Sequence, residues 1–330
     1  MPTMMHAMTA SSESTAALWG GILFSFVFTA LIWYAGGHWL QPGPLTPDRP
    51  GFWYAWQLQE PTFWSRATAW GGYLGHQLAI WWLIWTAQQE RPGYTPGLHR
   101  FNVLALAVNA VFIALHLVQT QVWYDGLAQD VHEASAQWSV IVLLIAVLAM
   151  ENRRRGLVFG ASSTWVERTG PFLRRYHGYF FAWAAIYTFW YHPMEDTWGH
   201  LFGFLYMFLL MLQGSLFFTR AHVNRKWTVV LEVTFAFHGA MVAYLAGQGW
   251  QMFLMGGLAM FIITQMHGLG LSRRVRWLIG TGYVAGLGLL YAGRGWQHLP
   301  EVAGIPLTLL GGVFVLSLLV LGGRRLLGPA

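Results

Sequence analysis

Apolar residues run along this chain in long blocks divided by short polar connections. Residues 17 to 36 ("ALWGGILFSFVFTALIWYAG") and 303 to 323 ("AGIPLTLLGGVFVLSLLVLGG") each contain no Asp, Glu, Lys or Arg. A helix of about 20 apolar residues crosses a hydrocarbon core ~30 Å thick. Lipid offers no partner for backbone N–H and C=O groups, so continuous apolar runs of this length read as helices. The pattern predicts ten spans, over 17 to 36, 68 to 87, 101 to 122, 134 to 150, 176 to 191, 199 to 218, 228 to 246, 250 to 271, 275 to 292 and 303 to 322. The expected fold class is all-α: one polytopic integral membrane bundle of about ten transmembrane helices, a single membrane domain over 1 to 330. No soluble domain, linker or internal repeat interrupts the pattern.

Composition agrees. Of 330 residues 55% are hydrophobic and 10% charged, against roughly 25% charged in a soluble domain. Charge then orients the spans. Sixteen of the 19 Lys and Arg residues fall after the second, fourth, sixth, eighth and tenth spans, leaving Arg49, Arg66 and Arg294 in the alternate connections. By the positive-inside rule both termini are cytoplasmic, in what is expected to be a bacterial plasma membrane. The net charge of +6 thus reflects topology, and no basic patch with interleaved aromatics suggests nucleic acid. The first apolar run lacks a preceding basic region and is expected to be retained. Cysteine is absent, which removes disulfides, thiolate metal sites and cysteine nucleophiles. The connection "GFWYAWQLQEPTFW" (51 to 64) is rich in Trp and Tyr and is expected to lie on the outer leaflet.

Ionisable groups are costly in hydrocarbon and tend to pair, face the bundle interior or serve function. Depth sorts the histidines. Toward the basic-poor face lie His76, His116 and the stretch "WYHPMEDTWGH" (190 to 200) with His192, Glu195 and His200. Beside them is the loop "WYDGLAQDVHE" (123 to 133), with Asp125, Asp130, His132 and Glu133. His116, His192 and His200 form the candidate metal set, because two or three imidazoles with a carboxylate suit Zn, Fe or Mn. Glu195, Asp125 and Glu133 are the candidate catalytic acids. His177, His238 and His267 are each followed by Gly, which leaves room for a flat ligand, so they are the candidate cofactor residues, for haem b or a quinone. A bland alternative holds for each: a histidine can bridge two helices, Pro193 can end a helix, and Asp196 or Thr197 can cap the next. Glu232 is expected to pair with Arg220, Arg225 or Lys226, and Glu151 with its own arginines.

His177 and His192 lie fifteen residues apart on one predicted helix, a rise of ~22 Å. That spacing resembles the axial-ligand placement of diheme cytochrome b proteins, although no second helix here carries a matching pair. The motifs of membrane desaturases, serine hydrolases and nucleotide-binding loops are missing. Three functions follow as expectations. The first is a histidine-ligated haem- or metal-dependent membrane oxidoreductase or enzyme, acting on a lipid-soluble substrate such as a quinone or acyl chain with membrane lipids around it. The second is a proton-coupled transporter or channel. The third is a structural or assembly protein without chemistry.

Overall fold

In the computed structural model, residues 2–48, 54–90 and 92–327 are described. Gly51, Phe52 and Trp53 of the aromatic connection, with Arg49 and Arg91, lie outside the described residues, as do the side chains of Arg324 and Arg325. Among the described residues there are eleven α-helices. They are α1 (Pro2–His38), α2 (Phe63–Glu90), α3 (Arg100–Trp123), α4 (Glu133–Arg155), α5 (Thr164–Glu167), α6 (Gly170–Tyr191), α7 (Trp198–Ser215), α8 (Arg225–Leu245), α9 (Trp250–Ile263), α10 (Arg273–Arg294) and α11 (Gly304–Leu327). Among the described residues there are isolated bridges but no strand. The helix ends carry local signals. Asn102 Oδ1 accepts from His99 N at the start of α3, at 2.9 Å. Pro171 sits in the first turn of α6, where a missing N–H is harmless. In α4 the acidic Glu133 and the basic Arg153 to Arg155 stand at the ends that suit the helix dipole.

Among the described residues five stretches are long and apolar enough to cross a membrane: Glu13–His38, Arg100–Trp123, Glu133–Arg155, Arg225–Leu245 and Trp296–Gly323. Several expected spans differ from the helices found: α1 begins at Pro2 rather than 17 and α2 at Phe63 rather than 68. The run from 250 to 271 holds only the 14 residues of α9. There the Thr264 hydroxyl turns back on Met260 O at 2.8 Å, a 3-10 turn takes Gln265–Gly268, and Gly270 takes the left-handed region. Conversely α6 starts at Gly170 rather than 176.

The described chain forms two compact units, which no composition shift marks. Unit 1 comprises residues 1–140 and 178–224, and unit 2 residues 141–177 and 225–330. In unit 1, α2 packs on α3, and α1 and α3 both pack on α7. A polar line runs through its interior. Trp190 Nε1 donates to His76 Nδ1 at 3.3 Å, His76 Nε2 to Asn109 Oδ1 at 2.7 Å, and Asn109 Nδ2 to Ser215 Oγ at 2.8 Å. These bonds join α6, α2, α3 and α7 in a medium where an unpaired polar group would be costly. Gly72 makes the line feasible, since any Cβ there would meet the Trp190 ring at 2.2 Å.

In unit 2, α9 packs against α8 and α11 through Gly257 and Gly256, whose absent side chains admit Ala236 and Ile305. Met255, Tyr291 and Val302 form its core. Glu232 pairs with Arg155 at 2.6 Å rather than with Arg220, Arg225 or Lys226. Arg155 is buried, and an uncompensated guanidinium there would be prohibitively costly. Glu151 pairs with Arg154 as expected.

Candidate functional site

Three connections of unit 1 meet: residues 54–58, 124–126 and 192–197. The last is the turn between α6 and α7. Pro193 follows the end of α6, and Glu195 N donates to Pro193 O at 2.9 Å. Thr197 takes the N-cap position of α7 with extended backbone, yet its side chain makes no cap bond. It reaches His200 Nδ1 instead, at 2.7 Å. The other ring nitrogen of His200 lies 2.6 Å from the Tyr54 hydroxyl. His200 therefore stands between two hydroxyls, with the Trp56 ring edge-on 5.3 Å away and His192 at 5.6 Å between ring centroids.

The acids lie alongside. Glu195, 6% exposed, accepts from the Tyr124 hydroxyl at 2.5 Å. Burial raises its carboxyl above the usual range, and the Tyr124 bond only partly offsets this. Asp125 is buried outright and accepts from Leu58 N at 3.2 Å. Burial pushes its carboxyl up to about 7, against the lowering effect of that bond. Tyr54 is raised well above the ordinary phenol range by burial first, then by Tyr124, Glu195, Tyr191 and Asp125. Those four groups are thus close enough to act on it through space.

Two features hold this cluster in place. One is backbone geometry. Tyr124 has φ of 68°, a conformation a bulky residue occupies only where its surroundings impose it. Gly126 comes so close to α6 that a Cβ would meet Tyr191 O at 2.4 Å. The other is the last two turns of α3. His116 Nε2 lies 2.8 Å from His192 O and its Nδ1 3.0 Å from Gln119 Oε1. Gln119 Nε2 donates to Asp125 O at 2.6 Å, and Thr120 Oγ1 accepts from Met194 N at 3.0 Å. One helix face thus fixes both the Asp125 turn and the Glu195 turn.

The expected site residues fall out as follows. His192, His200, Glu195 and Asp125 come together. His116 supports them, but both its ring nitrogens face protein oxygens, and so do both of His200. Among the described residues no three of His, Asp and Glu are placed to hold a metal ion, so His116, His192 and His200 do not fit a ligand set in this arrangement. Glu133 accepts from Gln137 one turn along α4 at 2.8 Å, while its second oxygen is buried without a hydrogen-bond partner. His177, His238 and His267 all belong to unit 2. His177 Nδ1 donates to Arg174 O at 2.7 Å. His267 Nε2 donates to Ile262 O at 3.1 Å with its Nδ1 toward Arg276.

Tyr54, Trp56 and Tyr124 were not singled out by the sequence, and Thr197 was expected only as a cap. Within the aromatic connection expected to lie on the outer leaflet, Tyr54 and Trp56 turn onto His200; its Trp and Tyr content was the only available signal. No family model matches the chain, and no curated protein or solved structure does either.

Proposed function

We propose that this chain is an integral membrane protein of about ten spans, with both termini cytoplasmic. In this reading the cluster of Tyr54, His200, Glu195 and Asp125 exchanges protons with a lipid-soluble substrate that carries an ionisable O–H, such as a quinone in its quinol form or the carboxyl group of a fatty acyl chain. The observation that carries it is the short Tyr54–His200 bond beside two buried carboxyl groups, since a structural cap needs neither. When Thr197 donates to His200 Nδ1, Nε2–H points at the Tyr54 oxygen, and the Tyr54 hydrogen is available to a substrate. His200 then stabilises the phenolate that forms as the proton leaves. In the other tautomer Tyr54 donates to His200 and is withheld. Asp125, with both protonation states populated near neutrality, is the group that returns the proton.

The test is the set of organic-soluble molecules that copurify with the protein from its membrane. The reading expects one species near stoichiometric in the parent protein and at least tenfold depleted in a Tyr54→Phe, His200→Ala double variant. Identical complements in both would overturn it. The second reading, proton-coupled transport, is favoured by the buried line from Trp190 through His76 and Asn109 to Ser215. It predicts that vesicles carrying the protein dissipate an imposed pH gradient, and that His76→Phe abolishes this.

A further inference from the structure

Unit 1 contains a second feature, remote from the acid–base cluster. A cavity of about 300 Å³ is walled by Ala17, Gly20 and Phe24 of α1 and by Leu106, Ala110 and Ile113 of α3, and floored by α7. Its mouth is at Gly20 and Phe24, both exposed. Two of its three walls, α1 and α3, are among the stretches long and apolar enough to cross a membrane.

Chemistry narrows the occupant. Three lining side chains are polar, and each makes its hydrogen bond within the protein. Ser25 Oγ donates to Gly21 O at 2.8 Å, Ser215 Oγ to Met211 O at 2.8 Å, and Asn109 joins His76 to Ser215. Water needs two to four polar partners to occupy a cavity, and apolar cavities stay dry. A ligand with a polar head would be desolvated here without compensation. What fits is a molecule, or part of one, with no polar atoms, entering from the side at the depth where hydrocarbon surrounds the protein. We infer that this cavity is a binding site for one acyl chain of a membrane phospholipid. The volume is at the lower end of small-ligand sites, roughly 300 to 1,000 Å³, and suits part of one chain rather than a whole lipid. The inference rests on the membrane-spanning reading but not on the proton chemistry of the cluster.

A clean variant exists. A Cβ added at Gly20 meets nothing within 4 Å, whereas one at Gly21 strikes Leu212 at 2.3 Å. Gly20→Leu therefore fills the mouth without disturbing the α1–α7 contact and raises helix propensity. Gly71→Leu, at an equally open position on α2, is the control. The protein is reconstituted in phosphatidylcholine vesicles containing a phosphatidylcholine with a photoreactive acyl chain, and adducts are mapped by mass spectrometry. We expect adducts on Leu106, Ala110, Met211 and Leu212 to exceed those on exposed α11 positions such as Leu319 by at least threefold. Gly20→Leu should lower the cavity adducts at least fivefold, leave α11 adducts unchanged and preserve thermal stability, with Gly71→Leu like the parent. Cavity adducts no more frequent than those on α11, or undiminished in Gly20→Leu, would overturn the inference. So would rapid oxidation of Met211 by hydroxyl radicals generated in water, which would show a wet cavity.

Discussion

At the scale of single residues the cluster is defined by hydroxyl and carboxyl protons rather than by charge pairs. Removing the Tyr54 hydroxyl as Tyr54→Phe leaves His200 Nε2 without its 2.6 Å partner, a loss of about 1 kcal/mol for a half-buried group. A lowered Tm in detergent, together with loss of the copurifying molecule, is the expected result. Asp125 gives a signed pH dependence. Its carboxyl is raised from 3.8 to about 7, so the folded protein holds a proton that the unfolded chain releases in that window. Stability is then full below about pH 4 and falls as pH rises toward 7. Asp125→Asn keeps an acceptor for Leu58 N and cannot ionise, so Tm plotted against pH should be flatter between those limits in the variant than in the parent.

At the scale of elements, α3 organises the site. His116, Gln119 and Thr120 hold the 192–195 and 124–126 turns from one helix face, so His116 is a positioning residue. His116→Phe keeps the apolar contacts with Phe189 and Trp190 but removes the bond to His192 O. We expect a loss of about 1–3 kcal/mol in thermal unfolding and a metal content, by elemental analysis, equal to that of the parent; a drop in bound metal would return His116 to the ligands. The helices were legible because length and apolarity dictate them in lipid. The exceptions are informative: the first two turns of α6 carry Pro171, Arg174 and Arg175 and hide in a polar connection, and α9 ends at a hydroxyl-capped turn inside an apolar run. The stretch 190–200 stood out because it concentrates ionisable groups between apolar blocks. Its partners did not, since Tyr54 and Tyr124 lie 146 and 71 residues from the groups they meet, and neither an isolated phenol nor an isolated hydroxyl leaves a periodic trace.

At the scale of the whole molecule, two compact units share α4 and α6 along the chain, and five helices meet the length and hydropathy of membrane spans. The proposed topology puts alternate connections on opposite sides, and the cysteine-free sequence allows a direct check. Glu60→Cys should react with a membrane-impermeant maleimide in intact cells, and Ser162→Cys only after permeabilisation; the reverse pattern would invert the topology. The central claim is that the meeting of 54–58, 124–126 and 192–197 is an acid–base site, and infrared difference titration tests it most directly. Protein in lipid should show a protonated-carboxyl C=O band that disappears as pH rises through about 7, is absent in Asp125→Asn and is shifted in Tyr54→Phe. No carboxyl titrating above the ordinary range, or a band indifferent to both substitutions, would contradict it.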